Sequence, residues 1–289
     1  MNSSERKGIF LAIFAATLYA LNAPFSKLLL AKMPSTLMAG FLYIGAGLAM
    51  VLILSYRKIK HQTVNENRLT KKDLPFVIMM ILLDIAAPIC LLVGLSKTTA
   101  ANASLLNNFE IVATSCIAFI FFKERTSKKM LIGIILVTLS CCILSFENIS
   151  AFSFSVGSLF VLLAASFWGL ENNCTRQISD KDPLEIVLLK GIFSGGGSII
   201  IGLVIGERVN DVTSIVLTMI LGAVAYGLSI FFYVYSQRVI GAAKTSVFYS
   251  FAPFISTILS LFIFKEIPTS SYFLALIIML IGAYLCAEG

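Results

Sequence analysis

One histidine, His61, serves all 289 residues, and charged residues make up only 13% of the chain, about half the share of an average soluble domain. The six cysteines (Cys90, Cys116, Cys141, Cys142, Cys174 and Cys286) form no CxxC pair, and all fall inside apolar segments. Zinc, haem and disulfide-framework readings are thereby left without a ligand set, and the thiols read as small buried hydrophobes. GxxxxGK[ST], HExxH and GxSxG are missing, so ATP hydrolysis and the common hydrolytic chemistries have no site. Neither a metal nor a cofactor is expected.

Hydrocarbon fills the space instead. Hydrophobic residues reach 58% and the mean hydropathy is +0.94, too apolar for a soluble surface, so the chain reads as one integral membrane domain with short loops. Apolar stretches fall at about 8–30, 35–56, 74–95, 98–122, 129–147, 155–176, 184–206, 213–237, 240–264 and 270–287. Each approaches the ~20 helical residues that cross a hydrocarbon core. The stretch after Glu5-Arg6-Lys7 is too long for a signal-peptide core and is expected to be a first span. The predicted fold is therefore all-α integral membrane, with ten transmembrane helices.

The net charge of +7 does not point to nucleic acid. Its basic residues gather between spans: Arg57, Lys58, Lys60, Arg68, Lys71 and Lys72 in one loop, Lys123, Arg125, Lys128 and Lys129 in another. Such clusters are retained on the cytoplasmic side, which predicts both termini inside. The partners expected are the lipid bilayer and a small-molecule substrate, with the proton as a candidate co-substrate. Pro34, Pro75, Pro183 and Pro268 fall at span starts, where a missing amide costs little. Pro24, Pro88 and Pro253 fall inside spans 1, 3 and 9 and predict kinks or openings.

The two halves echo each other. Gly8, Ala15, Ala16, Leu21, Ser26 and Lys27 have counterparts in Gly157, Ala164, Ala165, Leu170, Thr175 and Arg176, an offset of 149 residues. Later in the repeat the offset is 142, and Phe122-Lys123-Glu124 reappears as Phe264-Lys265-Glu266. Five spans is an odd number, so the second half must enter the membrane from the opposite side. The basic residues that follow Lys123-Glu124 are absent after Lys265-Glu266, as inversion requires. Two inverted five-helix repeats, residues 1–150 and 151–289, are the architecture of a secondary transporter.

The same residues carry a family resemblance. Ala15-Ala16-Thr17-Leu18-Tyr19-Ala20-Leu21-Asn22 and Ala164-Ala165-Ser166-Phe167-Trp168-Gly169-Leu170-Glu171 resemble the opening helices of two EamA repeats. Phe121-Phe122-Lys123-Glu124 and Ile263-Phe264-Lys265-Glu266 resemble the end of the fourth helix in each. The whole chain is similar to the ten-span EamA branch of the drug/metabolite transporter superfamily. The resemblance implies alternating access and a cavity lined by helices 1 to 4 and 6 to 9, with 5 and 10 outside it. It implies no particular substrate. One departure is that Ala252-Pro253 in the second repeat corresponds to Glu110-Ile111 in the first.

Charges in a bilayer core are costly and mark function or pairing. Asp84 and Glu110 lie near the middle of spans 3 and 4. Glu171 and Lys190 lie at similar depth in spans 6 and 7, which predicts an ion pair, either functional or a static strut. Ala103, Asn107, Glu110 and Thr114 recur at helical spacing and give span 4 a small, polar face. Glu110 is the leading candidate for binding substrate or carrying a proton, because a shared proton relieves two carboxyls buried near each other. Asn22 and Glu171 occupy equivalent repeat positions, each one turn after an aromatic, Tyr19 and Trp168, which suggests two walls of one cavity. Asn102, Asn108, Asn172 and Asn173 read as bridges between helices, and Gly191-xxx-Gly195 as a close helix crossing. Transport is the leading function, most simply export of a small polar or amphipathic metabolite or drug. A channel, scramblase or sensor on the same fold competes with it, and an intramembrane enzyme is the weaker alternative.

Overall fold

The computed structural model describes residues 3–60, 67–122, 127–148, 153–178, 180–240, 245, 248–249, 251–265 and 270–288. Lys123, Glu124 and Glu266 of the repeated motif, and His61 in the basic loop, lie outside the described residues. Besides its turns, the described chain is helical apart from a two-stranded pairing, β1 (Phe146–Asn148) with β2 (Ser153–Phe154), and an isolated bridge between Asn67 and Lys181. Six stretches are long and apolar enough to cross a membrane: Ser4–Leu29, Ser35–Ile59, Lys71–Lys97, Ala100–Phe121, Pro183–Val204 and Val212–Ser236.

Helix α1 (Ser3–Ala20) breaks at Leu21 before α2 (Asn22–Leu29). The break sits upstream of Pro24 because the proline ring removes the bond to the Ala20 carbonyl and crowds it. Helix α3 (Ser35–Ile59) follows, starting after Pro34. Helix α4 (Leu74–Lys97) runs through Pro88 as one helix, so the chain does not open there. Span 4 is divided where no proline stands: α5 (Ala100–Leu106) stops at Asn107-Asn108 and α6 (Phe109–Phe122) restarts beyond it. The expected stripe of Ala103, Asn107, Glu110 and Thr114 is therefore split across two helices. At the break, Asn108 N–H turns back to Leu105 O and Glu110 N–H to Asn107 O, both at 3.1 Å, so the chain tightens rather than unravels. Helix α7 (Lys128–Ser145) completes the first half.

In the second half, α8 (Val156–Gln177) is capped by Ser155, α9 (Pro183–Leu189) by Asp182 and α11 (Val212–Gly222) by Asp211, each side chain accepting an orphan amide of the first turn. A π-turn at Lys190–Ser194 joins α9 to α10 (Gly195–Val204), and another at Ala223–Leu228 joins α11 to α12 (Ser229–Ile240). Wide turns of this kind occur often at functional sites. Helix α13 (Ala252–Phe264) carries Pro253 in its first turn rather than inside a continuous span, and α14 (Ser270–Glu288) closes the chain.

Packing is dominated by small residues. Helix α8 lies along α4, where a Cβ on Gly157 would meet the Gly94 carbonyl. Helix α1 lies along α12, where Ser236 and Ser229 donate to the Gly8 and Ala15 carbonyls at 2.9 Å. The offsets of 149 and 142 turn Gly8–Ser236 into Gly157–Gly94, so these two crossings occupy equivalent positions. Helix α3 packs closely on two spans of the second half, the one through the first π-turn and the one that begins with α11. Gly47 lies against Gly191, and Gly45 and Gly222 lie against the Met219 and Leu42 carbonyls. Helices α7 and α14 pair with each other through Ser140, which donates to the Ala275 carbonyl at 2.7 Å, and through Gly282 against Val137.

Candidate functional site

Where α4, α8 and the π-turn after α9 meet, three charged side chains come together in the interior. Lys190 Nζ lies 2.6 Å from Glu171 Oε1 and 3.0 Å from Asp84 Oδ2. All three are at least 95% buried. Tyr43 donates its hydroxyl proton to Asp84 Oδ1 at 2.8 Å, and the Thr175 hydroxyl donates to Glu171. The Glu171–Lys190 pair expected from matching depths is present, and Asp84 joins it. The sequence reading considers Asp84 only alongside Glu110 and not with this pair.

Glu110 stands apart from this triad. It opens α6 at the break in span 4, accepts a hydrogen bond from Asn172 Nδ2 at 2.5 Å, and keeps part of its surface accessible. Asn172 is neutral, and among the described residues no cation pairs with Glu110. At this centre, among the described residues, there is thus one ammonium for three carboxyl groups. Asn173, next along α8, donates to the Thr114 carbonyl at 3.1 Å and the Gly169 carbonyl at 2.8 Å. Thr114 therefore contributes its backbone to this crossing, which is tight because a Cβ on Gly169 would strike Ala113 and the Thr114 amide.

A second layer is aromatic. Tyr226, buried in the second π-turn, accepts a hydrogen bond from Asn22 Nδ2 at 3.2 Å and packs edge-on against Tyr43 at 5.1 Å between ring centroids. Tyr19 lies 6.1 Å from the Tyr226 ring and 5.7 Å from Tyr249. Asn107 Nδ2 donates to the Tyr19 hydroxyl at 3.4 Å, while Asn107 Oδ1 is buried without a partner. Tyr19, Asn22, Ser104, Asn107, Pro253 and Ser256 line a narrow cleft of about 20 Å³ between the broken spans, about one water in size. Ser104 and Ser256 bridge its walls at 2.8 Å. A wider depression of about 490 Å³ opens beside Lys27, Thr98, Asn102 and Ser155. The Lys27 ammonium caps the end of α4 there, donating to the Leu95 and Thr98 carbonyls.

Of the candidate residues read from the sequence, the structure groups Asp84, Glu171 and Lys190 in the triad, and Tyr19, Asn22 and Asn107 at the cleft. Glu110 falls in neither group: it is not among the cleft-lining residues and holds Asn172 instead. Trp168 is buried in the hydrophobic core and is not among the cleft-lining residues. Sequence reasoning missed Tyr43 and Tyr226. A signal for Tyr226 was present: the offset of 142 pairs it with Asp84, just as the offset of 149 pairs Asn22 with Glu171. The contacts Asn22–Tyr226 and Glu171–Lys190–Asp84 thus link equivalent positions.

Six long apolar helices around a buried polar centre define a polytopic helical membrane protein. A family model for EamA-like transporters matches the chain twice, over residues 6–146 and 155–287, and the chain belongs to that family. It is 26% identical to an uncharacterized transporter of Methanothermobacter thermautotrophicus, covering 96% of this chain and 85% of that one. It is 24% identical to the uncharacterized transporter YyaM of Bacillus subtilis, over 74% of this chain and 72% of that one. A solved crystal structure superposes with a TM-score of 0.67 at 14% identity, over 98% of this chain and 95% of the other; that likeness concerns the fold alone.

Proposed function

We propose that the protein is a secondary active transporter that works by alternating access, exporting a small polar or amphipathic metabolite or drug from a prokaryotic cell across its plasma membrane. In this reading ten spans form two inverted repeats, residues 1–150 and 151–289, with both termini cytoplasmic. The observation that carries it is the uncompensated carboxyl of Glu110 at a helix break between the two halves. Broken helices at a repeat interface hold the binding sites of many transporters. A charge of this kind inside a membrane protein marks a substrate or proton path.

Ties at both ends of α3 support alternating access. At one end, Leu69 N–H donates to Glu185 at 3.1 Å, Asp182 N–H to the Asn67 carbonyl at 3.0 Å, and Lys181 lies 3.8 Å from Asp73. At the other, Glu207 accepts the Leu37 amide at 2.8 Å and the Thr36 amide at 3.4 Å. These loops are counterparts in the repeat, so a rocking motion would open one set while keeping the other closed.

The test is flux in proteoliposomes, with cargo found by a counterflow screen. Glu110→Gln is expected to insert and fold, and to lose gradient-driven transport or shift its pH dependence; exchange between equal cargo pools survives if the residue handles only the proton and is lost with it if the residue also binds cargo. The ionisable groups facing Glu110 from neighbouring elements are Asp84, Glu171 and Lys190, with the phenols of Tyr19, Tyr226 and Tyr249. They remain in the variant, so any residual pH dependence reports on them. Unchanged rate, affinity and pH profile would make the carboxylate structural. Non-saturable flux would favour a channel or scramblase.

A further inference from the structure

We propose that the wide depression beside Lys27 and Lys97 binds a phosphate group, brought either by a lipid headgroup or by a soluble phosphoester. The inference goes beyond the transport reading and does not depend on it.

Five helix ends line this site. Lys27 lies in the last turn of α2, Lys97 ends α4, Asn102 lies in the first turn of α5, Leu144 lies near the end of α7, and Ser155 caps α8. With Thr98 they surround a depression of about 490 Å³, within the size range of small-molecule sites. Its lining holds two lysines and, among the described residues, no carboxylate.

Donors at its wall await an acceptor. Among the described residues, the Lys97 ammonium, the Thr98 hydroxyl and the Asn102 side-chain amide make no hydrogen bond or ion pair with the protein. A lysine at a helix C-terminus ordinarily offsets the helix dipole. At α4 that task falls to Lys27, which donates to the Leu95 and Thr98 carbonyls. Those bonds hold the Lys27 ammonium at the wall and leave Lys97 without a structural duty. On the proposed topology the depression opens on the outer face, where the retention of positive charge inside the cell gives no reason for two lysines. A phosphomonoester carries between one and two negative charges near neutral pH and three acceptor oxygens, which matches two ammoniums flanked by a hydroxyl and an amide. A carboxylate offers one charge and two oxygens, and so uses less of the site.

The test titrates purified full-length protein in neutral detergent, at constant ionic strength in sodium chloride, and reads saturable thermal stabilisation. One arm compares sn-glycerol 3-phosphate with glycerate and glycerol; the other compares phosphatidic acid with diacylglycerol of the same acyl chains. Stabilisation is expected from glycerol 3-phosphate, from phosphatidic acid or from both, more weakly from glycerate, and not from glycerol or diacylglycerol. A response to glycerol 3-phosphate assigns the site to soluble phosphates, and one confined to phosphatidic acid assigns it to lipid. Lys97 is exposed, so Lys97→Glu should fold as the wild type does. It should weaken the responding phosphate by about tenfold, the effect of reversing one exposed charge interaction, with Lys97→Gln falling between the two. Lys32→Glu, at an exposed lysine just after α2 that does not line the depression, should leave the affinity unchanged. No response in either arm overturns the proposal, as does a response to glycerate, glycerol or diacylglycerol equal to that of the matching phosphate. Affinity that Lys97→Glu and Lys97→Gln both leave unchanged, or that Lys32→Glu weakens as much, overturns it too.

Discussion

At Lys190 a single ammonium stands between two carboxylates, 2.6 Å from Glu171 and 3.0 Å from Asp84. Its removal and the removal of one carboxylate are therefore unequal operations. Glu171→Gln leaves Asp84 and Lys190 as a neutral pair that Tyr43 still supports by its hydrogen bond. Lys190→Met leaves two buried carboxyls facing each other with no cation. Breaking a buried pair by deleting one partner costs about 3–5 kcal/mol, and the methionine variant should lose that in full. Thermal unfolding in detergent is expected to rank the wild type first, Glu171→Gln next and Lys190→Met last. Adding Glu171→Gln to Lys190→Met should recover part of the loss, because it removes one of the stranded charges. Strictly additive losses would mean that the three groups do not act together.

Between elements, contact depends on glycines whose surroundings differ sharply. A Cβ on Gly45 or Gly222 would overlap the Met219 or Leu42 carbonyl where α3 crosses α11, whereas Gly196 on α10 has open space around it. Gly45→Ala and Gly222→Ala are each expected to cost about 1–3 kcal/mol by forcing backbone apart. Gly196→Ala should be neutral or stabilising by up to about 1 kcal/mol, through helix propensity alone. Melting temperatures of the three variants check the order; equal shifts would show that this crossing is not tightly packed. Elements also divide what the sequence made legible from what it hid. The Glu171–Lys190 pair could be read because both lie about six residues from the ends of adjacent spans. Asp84 could not be assigned to it, because α4 is apolar on all sides and periodicity leaves its rotation about its own axis open. The break at Asn107-Asn108 has no proline to announce it. Its counterpart beside Ala252-Pro253 does, and the offset of 142 carries that signal back to span 4. Pro88, by contrast, sits inside an unbroken α4, so a proline alone does not tell which spans open.

At the scale of the whole molecule, helix α3 spans 25 residues, about 37 Å at 1.5 Å per residue, enough to separate its two sets of end contacts by a bilayer core. Lys72 follows the basic segment at one end, and Asn210 lies in the sparsely charged loop near the other. Both are exposed. Retention of positive loops inside the cell predicts Lys72 in the cytoplasm, and the length of α3 then predicts Asn210 outside. With the native cysteines replaced, Lys72→Cys should react with a membrane-impermeant maleimide only in inside-out vesicles, and Asn210→Cys only in intact cells. The same experiment reaches the repeat. The Gly8–Ser236 and Gly157–Gly94 crossings are counterparts under exchange of the two halves, and the proposed five spans per half would turn that exchange into an inversion. On that proposal Glu185 and Glu207 would tie loops on opposite faces of the membrane. Labelling of both cysteines from one face would break the odd-span argument and, with it, the alternation of the two latches.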